Sequence, residues 1–243
     1  MKVLSIGNSF SQDAQRYLHE IAKNDGVELY TVNLYIGGCS LRTHYNNMVS
    51  DSPNYVLEIN GKSTGEFTSI KATLLSERWD YITLQQASIL SGDYSSYNPY
   101  LKELYNYIKN LCSNAKILIH QTWAYEDKSD KIFASPYNSA DEMYSAVKNA
   151  YDKCFEDLNF DGLIPSGKAM MNAIKLGIGK IHRDALHASL GAGRYLLGLT
   201  WYKYLTGKDI TNNRFNLLDE PITEDERKIV IKAVIESYKK FKY

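Results

Sequence analysis

Short apolar runs alternate with longer amphipathic stretches along this 243-residue chain, and this alternation constrains its fold most strongly. Buried strands are indicated at residues 3–6, 27–34, 81–84 and 116–120, where apolar side chains predominate. Stretches with apolar residues at helical spacing lie between most of these runs. Such an alternation builds βαβ units and a parallel sheet that is covered by helices on both faces. We therefore predict a three-layer α/β/α sandwich with a mostly parallel sheet, formed by residues 1–243 as a single domain.

The boundaries of several helices are also marked in the sequence. Helical spacing from residue 9 onward predicts one helix that stops at Asp25-Gly26, where glycine takes the left-handed conformation of a C-terminal cap. Ser139 and Thr223 are each followed three positions later by a glutamate, the pattern of a capping box at a helix start. The run GLIPSGKAMMNAI indicates a short last strand followed by another helix.

One departure from the strand–helix alternation lies between residues 55 and 67. Asn60-Gly61 favours a type I′ turn, and the flanking residues alternate as in strands. We expect a small β-hairpin insertion that decorates one edge of the sheet.

Composition and charge exclude several classes of protein. Lysine plus arginine balances aspartate plus glutamate at 28 each, so there is no basic field to attract nucleic acid. No stretch approaches the roughly 18 consecutive apolar residues of a membrane span. The first strand begins at Lys2 without room for a signal peptide, so we expect a cytoplasmic protein, or a periplasmic or secreted one if a leader was removed. Cys39, Cys112 and Cys154 lack the spacing of a zinc site or a disulfide framework and are interpreted as reduced core residues.

Polar and glycine-rich segments follow the predicted strands at the edge where open parallel sheets bind ligands. They read GNSFS, GGCSL, LQQAS and HQTWAY, and we expect them to share one rim. Ser9 stands where the first strand turns into a helix, with its hydroxyl toward solvent. Such a serine is either a nucleophile, whose oxyanion needs nearby donors, or merely a helix N-cap, a role that Ser11 could also take.

A serine nucleophile needs a base that is itself oriented by a third group. Among the five histidines, only His187 has a carboxylate three residues before it in a loop that leads into a helix. Residues at this spacing share one side of a turn, so Asp184 could bond Nδ1 of His187 while Nε2 faces Ser9. The alternative is an Asp-His pair at the surface.

The motifs IGNSFS, IGGCSL, WDYITLQQAS, TWAY, IPSGKA and DALHASLGAGRYL, in this order, resemble the SGNH/GDSL hydrolase superfamily, and in particular its DUF4886-like branch. The resemblance covers nearly the whole chain and implies a flavodoxin-like SGNH hydrolase fold. It implies that Ser9 is the nucleophile, His187 the general base and Asp184 its orienting partner. It also implies an oxyanion hole that includes the amides of Ser9 and Gly38, and it calls for no metal or organic cofactor.

Two positions depart from the superfamily pattern. Asn8 replaces the aspartate of the usual Gly-Asp-Ser, and LQQAS lacks the Gly-x-Asn-Asp block whose asparagine donates to the oxyanion. Gln85 or Gln86 carries the same donor on a longer stem, and only one is expected to reach the site because adjacent strand residues point to opposite faces. His120 and Trp123 lie on the same predicted rim and either line the acyl or leaving-group pocket or simply pack.

Three function classes are compatible with these residues. The leading hypothesis is a serine esterase that acts on small carboxylic esters and deacetylates a carbohydrate. Its carbohydrate part rests on the superfamily and on twenty tyrosines, which either stack on sugars or reflect compositional bias. The second hypothesis is a catalytically weak or inactive carbohydrate- or ligand-binding module on the same fold. The third is a flavodoxin-like or phosphate-binding protein, which would leave the Asp-His pair unexplained. The sequence leaves the acyl group, the alcohol and the oligomeric state open.

Overall fold

A computed structural model describes residues 1–238 and shows one central sheet, whose strands run in the order β4-β3-β2-β1-β5-β6-β7. The neighbours of β1 on both sides, and the strands beyond β5, are parallel, whereas β3 and β4 pair antiparallel at one edge. The four predicted core strands are confirmed, although the second begins later than expected. The strands are β1 Lys2–Gly7, β2 Tyr30–Tyr35, β3 Tyr55–Ile59, β4 Lys62–Thr68, β5 Tyr81–Leu84, β6 Lys116–His120 and β7 Gly162–Ile164.

Helices cover both faces of this sheet. Because side chains alternate along a strand, Val3 enters the core on one face while Leu4 and Ile6 enter the core on the other. The predicted three-layer α/β/α fold is thereby confirmed for the described residues, and residues 239–243 of the predicted domain lie outside them. The helices are α1 Ser9–Gln15, α2 Leu18–Asn24, α3 Leu41–Ser50, α4 Ile70–Ser76, α5 Tyr100–Leu111, α6 Asp130–Phe133, α7 Ala140–Asp157, α8 Ser166–Lys175, α9 Ala192–Thr206 and α10 Glu224–Tyr238.

The predicted hairpin forms the edge of the sheet. Asn60 and Gly61 have φ angles of 51° and 74°, as a type I′ turn requires. The turn lies against the end of α1, since a Cβ atom added to Gly61 would be 2.4 Å from the carbonyl oxygen of Arg16. The hairpin therefore braces the helix that begins at Ser9.

The single helix predicted over residues 9–24 is two helices. The chain breaks at Arg16-Tyr17, where both side chains bond to distant segments. The Tyr17 hydroxyl donates to the carbonyl of Leu190, and Arg16 pairs with Asp219. These tertiary contacts have no counterpart in the local apolar pattern, which explains why the break was not predicted.

Helix α9 occupies the centre of one helical layer. It packs against α1 and α2 on one side and against α8 and α10 on the other, so most of its residues are buried. Neither α9 nor any other helix within residues 1–238 is long and apolar enough to cross a membrane.

Candidate active site

Ser9 is the first residue of α1 and follows β1 almost directly. The N-cap is Asn8, whose Oδ1 accepts a hydrogen bond from the amide of Phe10 at 3.0 Å. Ser11 bonds back to the Asn8 backbone at 3.1 Å and 2.9 Å. Because these two residues complete the cap, the Ser9 hydroxyl is free to face the half-buried rim. It lies 2.9 Å from Nε2 of His187.

The turn between α8 and α9 brings Asp184 and His187 to Ser9. His187 Nδ1 lies 2.7 Å from Oδ2 of Asp184 and donates to that carboxylate. With the proton on Nδ1, Nε2 carries a lone pair and accepts a hydrogen bond from the Ser9 hydroxyl. The three residues singled out from the sequence thus form one continuous hydrogen-bonded chain.

The carboxylate of Asp184 is held by three donors. Its Oδ1 accepts from the backbone N–H groups of Leu186 and His187 at 3.2 Å and 2.7 Å. Partial burial acts to raise the Asp184 pKa, but the hydrogen bonds from the His187 backbone and imidazole outweigh it and lower that pKa to about 2. The group therefore stays ionised at mildly acidic and neutral pH and keeps the proton of the imidazole on Nδ1.

Ala185, inside this turn, has a left-handed φ of 61°. A non-glycine residue in that conformation costs roughly 1–2 kcal/mol. The segment after β6 holds the turn in place, because Glu126 N–H donates to the Ala185 carbonyl at 2.9 Å and Trp123 Nε1 donates to the Leu186 carbonyl at 3.0 Å. Strain at this point is thus offset by contacts from outside the turn.

Asp13 ties the same turn to α1 and was not singled out from the sequence. Its fully buried carboxylate accepts from Arg183 Nη1 at 2.9 Å, from Arg194 Nε at 2.8 Å and from the amide of Ala188 at 3.1 Å. Arg183 and Ala188 immediately flank the segment that carries Asp184 and His187, and Asp13 lies one helical turn beyond Ser9. One carboxylate thereby fixes the base relative to the serine.

A second loop approaches Ser9 from the end of β2. Gly38 in this loop is exposed and has a φ of 64°. The amide Nδ2 of Asn8 donates to the Cys39 carbonyl at 3.0 Å, which draws the loop to the start of α1. Within the described part of the chain, the N–H groups of Ser9 and Gly38 have no protein acceptor, so both are available to a bound oxygen atom.

The side chains of Gln85 and Gln86, the two glutamines of LQQAS, form hydrogen bonds within the protein. Gln85 is 1% exposed, and its amide bonds to Asn8 Oδ1 at 2.7 Å and to His120 Nδ1 at 2.6 Å. Gln86 is wholly buried, accepts from the first N–H of α3 and donates to Ser96. Both amides bond within the protein below the surface of the site, and the expectation that one of them completes an oxyanion hole stays a prediction.

His120 and Trp123 do not line an open pocket, contrary to one of the two readings of their position. Both are fully buried. The Trp123 ring stacks on Phe10 with centroids 3.8 Å apart, and Phe10 in turn presents an edge contact to His187 at 6.1 Å. Burial lowers the pKa of His120 to about 3, so this imidazole is neutral. Together with Phe10 and Gln85, these two residues form a packed floor beneath the rim.

The three cysteines are free thiols; Cys39 and Cys154 are buried in the core as expected, whereas Cys112 is only half-buried. Burial raises the pKa of Cys39 to about 12, so this residue beside Gly38 remains a thiol. No cluster of three or more histidine, cysteine, aspartate or glutamate side chains that could hold a metal ion is found within residues 1–238.

The three-layer α/β/α sandwich with its mostly parallel seven-stranded sheet is shared with several solved structures. Solved structures that share the fold include a candidate SGNH hydrolase from Slackia heliotrinireducens, 21% identical with a TM-score of 0.62, covering 84% of this chain and 98% of that one. They also include an acetyl xylan esterase, AlAXEase, 16% identical with a TM-score of 0.57, covering 84% of this chain and 100% of that one. The fold is that of the SGNH hydrolases.

The family is established by two further matches. The model of the family described as "Domain of unknown function (DUF4886)" matches residues 2–234. The crystal structure of a DUF4886 family protein from Bacteroides uniformis ATCC 8492 is 36% identical with a TM-score of 0.88, covering 98% of this chain and 94% of that one. The chain belongs to the DUF4886 family. No curated protein matches it.

Proposed function

We propose that this protein is a serine esterase that hydrolyses small carboxylic esters, with acetylated carbohydrates as its substrate class. The observation that carries the proposal is the chain from Ser9 Oγ through His187 to Asp184, with contacts of 2.9 Å and 2.7 Å. A hydroxyl in this position, bonded to the lone pair of an oriented imidazole, has the arrangement of an activated nucleophile.

The chemistry follows from these contacts. Ser9 Oγ attacks the ester carbonyl while His187 Nε2 takes its proton, and the Asp184 carboxylate stabilises the imidazolium. The N–H groups of Ser9 and Gly38 bond the oxyanion of the tetrahedral intermediate. His187 then returns the proton to the leaving alcohol. In the second half, His187 deprotonates a water that attacks the acyl-enzyme, and the carboxylic acid leaves as Ser9 recovers its proton.

The packed floor of the site favours a short acyl group. Phe10 and Trp123 stack against each other beneath the rim, and Gln85 and His120 are bonded side by side. All four are at most 2% exposed, so there is no open space among them for a long acyl chain. One protein with the same fold is an acetyl xylan esterase, which supports an acetylated carbohydrate as the substrate class.

The two other function classes are less well supported. A phosphate cradle would need several consecutive free amides at the start of α1, but the Phe10 amide, next to the free Ser9 amide, is taken by the Asn8 side chain. An inactive binding module would not need the oriented imidazole that Asp184 and His187 form. These observations favour catalysis over either alternative.

The test is hydrolysis of p-nitrophenyl esters of increasing acyl length. We expect the acetate to be the best substrate, and Ser9→Ala and His187→Ala each to lower kcat by roughly 10³-fold or more. His19→Ala and Ser50→Ala, which lie outside the site, serve as controls and should match the wild type. Equal rates in Ser9→Ala and wild type would refute the proposed nucleophile, and a preference for octanoate would refute the argument from the floor.

A further inference from the structure

A buried chain of hydrogen bonds runs beneath the candidate site across the carboxyl ends of five strands, β7, β6, β5, β1 and β2. It passes from Ser166 at the start of α8 to His120 at 2.9 Å, on to Gln85 at 2.6 Å, to Asn8 at 2.7 Å and finally to the Cys39 carbonyl at 3.0 Å. Each of the five residues is at most 3% exposed. A buried polar network of this kind is stable only if each hydrogen-bond donor in it meets an acceptor.

The direction of the chain is fixed at its end by the backbone. The Cys39 carbonyl can only accept, so Asn8 must present its NH₂ group there, and the Phe10 N–H confirms this by donating to Asn8 Oδ1. Gln85 must therefore offer Nε2 to Asn8 and Oε1 to His120.

The same logic sets the tautomer of His120. Since Gln85 Oε1 only accepts, the imidazole carries its proton on Nδ1, and Nε2 accepts from the Ser166 hydroxyl. Every bond in the chain then donates toward Cys39. Burial keeps this imidazole neutral, with a pKa of about 3.

We propose that Asn8 and Gln85 are positioning residues that hold the loop of Gly38 against Ser9, and that an amide is required at position 8. A carboxylate there has no proton to donate to the Cys39 carbonyl and would set a negative charge about one hydrogen-bond length from that oxygen. The inference rests on the proposed esterase function, in which the Gly38 amide bonds the oxyanion.

This assignment accounts for both departures from the superfamily pattern. The usual aspartate is replaced because the last link of the chain must donate, and the missing asparagine block is replaced by a glutamine whose two ends serve His120 and Asn8. The glutamine acts through the loop rather than on the substrate.

The test is Asn8→Asp, with Asn213→Asp as a matched control. Asn213 is also buried, its Nδ2 donates to the Ile21 carbonyl at 3.3 Å and its Oδ1 accepts from the Phe215 amide at 3.2 Å. The control thus introduces the same charge into the same bonding pattern outside the site.

For Asn8→Asp, we expect kcat on p-nitrophenyl acetate to fall roughly 10²-fold at mildly alkaline pH, the loss that misplacement of a catalytic group by about 1 Å causes. KM should change little. The ratio of variant to wild-type kcat should rise as pH falls, because a protonated carboxyl regains an O–H donor for Cys39. A ratio that stays near one at every pH, or that equals the ratio for Asn213→Asp, would overturn the proposal.

A second measurement depends on neither the variant nor the reaction. The ¹⁵N chemical shifts of His120 in the wild-type protein should show a neutral ring protonated on Nδ1 from about pH 5 to about pH 8. A ring protonated on Nε2, or one that titrates in that range, would overturn the chain whatever the activity. If instead the wild type is inactive while the tautomer is as expected, the proposed function fails and the chain of bonds stands.

Discussion

Replacing Asp13 with asparagine should uncouple the candidate base from the candidate nucleophile. Oδ1 of Asp13 serves Arg183 and Arg194, and Oδ2 serves Arg183 and the amide of Ala188. An asparagine keeps only one acceptor, so its NH₂ group must face other donors. If its oxygen stays with the arginines, the bond to Ala188 is lost and the end of the turn after His187 is released.

The structure sets the size of the effect. Removing one partner of a buried ion pair costs about 3–5 kcal/mol. Arg194 and Arg183 keep 13% and 23% of their side chains exposed, so water can partly solvate the orphaned charges and the lower end of that range applies. About 3 kcal/mol corresponds to a fall in Tm of roughly 6–12 °C for a protein of this size.

In Asp13→Asn, the loss of kcat should exceed what the loss of folding stability alone would cause. The contact of 2.9 Å between Ser9 and His187 depends on the clamped turn, and a shift of about 1 Å costs roughly 10²-fold in kcat. Thermal unfolding and kcat on p-nitrophenyl acetate, measured well below the Tm, separate the two effects. Asp219→Asn is the control, because Asp219 also bonds two arginines but is about 30% exposed and does not touch the turn. A kcat within about twofold of wild type in Asp13→Asn would refute the alignment role.

Two further perturbations test the fold around the site. Burial lowers the pKa of His44 and His120 to about 3, below the ordinary value near 6.5, so only the unfolded chain takes up these protons as pH falls. Stability from this source is complete above about pH 6.5 and is lost toward pH 3 at about 1.4 kcal/mol per pH unit for each histidine. Urea unfolding at several pH values measures this loss, and a flat profile would contradict it. Gly61→Ala should lower the free energy of unfolding by at least about 2 kcal/mol, because it adds a contact at 2.4 Å with Arg16 to the strain of a positive φ. Gly65→Ala, with a φ of 78° and open space, isolates the strain, and an equal loss in both variants would rule out the contact.

The parallel strands and the hairpin were predictable because their signals are local. A strand buried on both faces is a short apolar run, and Asn60-Gly61 specifies its turn without help from other segments. The break between α1 and α2 was not predictable, because Tyr17 bonds to Leu190 and Asp219, which lie far along the chain.

Strand ends that share a rim and residues three apart that share a turn made Ser9, Asp184 and His187 candidates for one site, and the resemblance to the SGNH/GDSL hydrolases favoured them over the alternatives. It could not assign the glutamines, since the direction of Gln85 is set by a carbonyl on another loop through the Asn8 amide. Asp13 lies on the buried stripe of α1, and a lone carboxylate there requires cationic partners. Nothing local shows which of the 28 basic residues supply them.

Labelling with a serine-directed fluorophosphonate tests the central claim most directly, because the reagent reacts with an activated serine whatever the natural substrate is. We expect the wild type to be labelled on the peptide that contains Ser9, with loss of fluoride, and Ser9→Ala to show no labelling. His187→Ala should label much more slowly. An unlabelled wild type, or labelling that persists in Ser9→Ala, would contradict the assignment of Ser9 as an activated nucleophile.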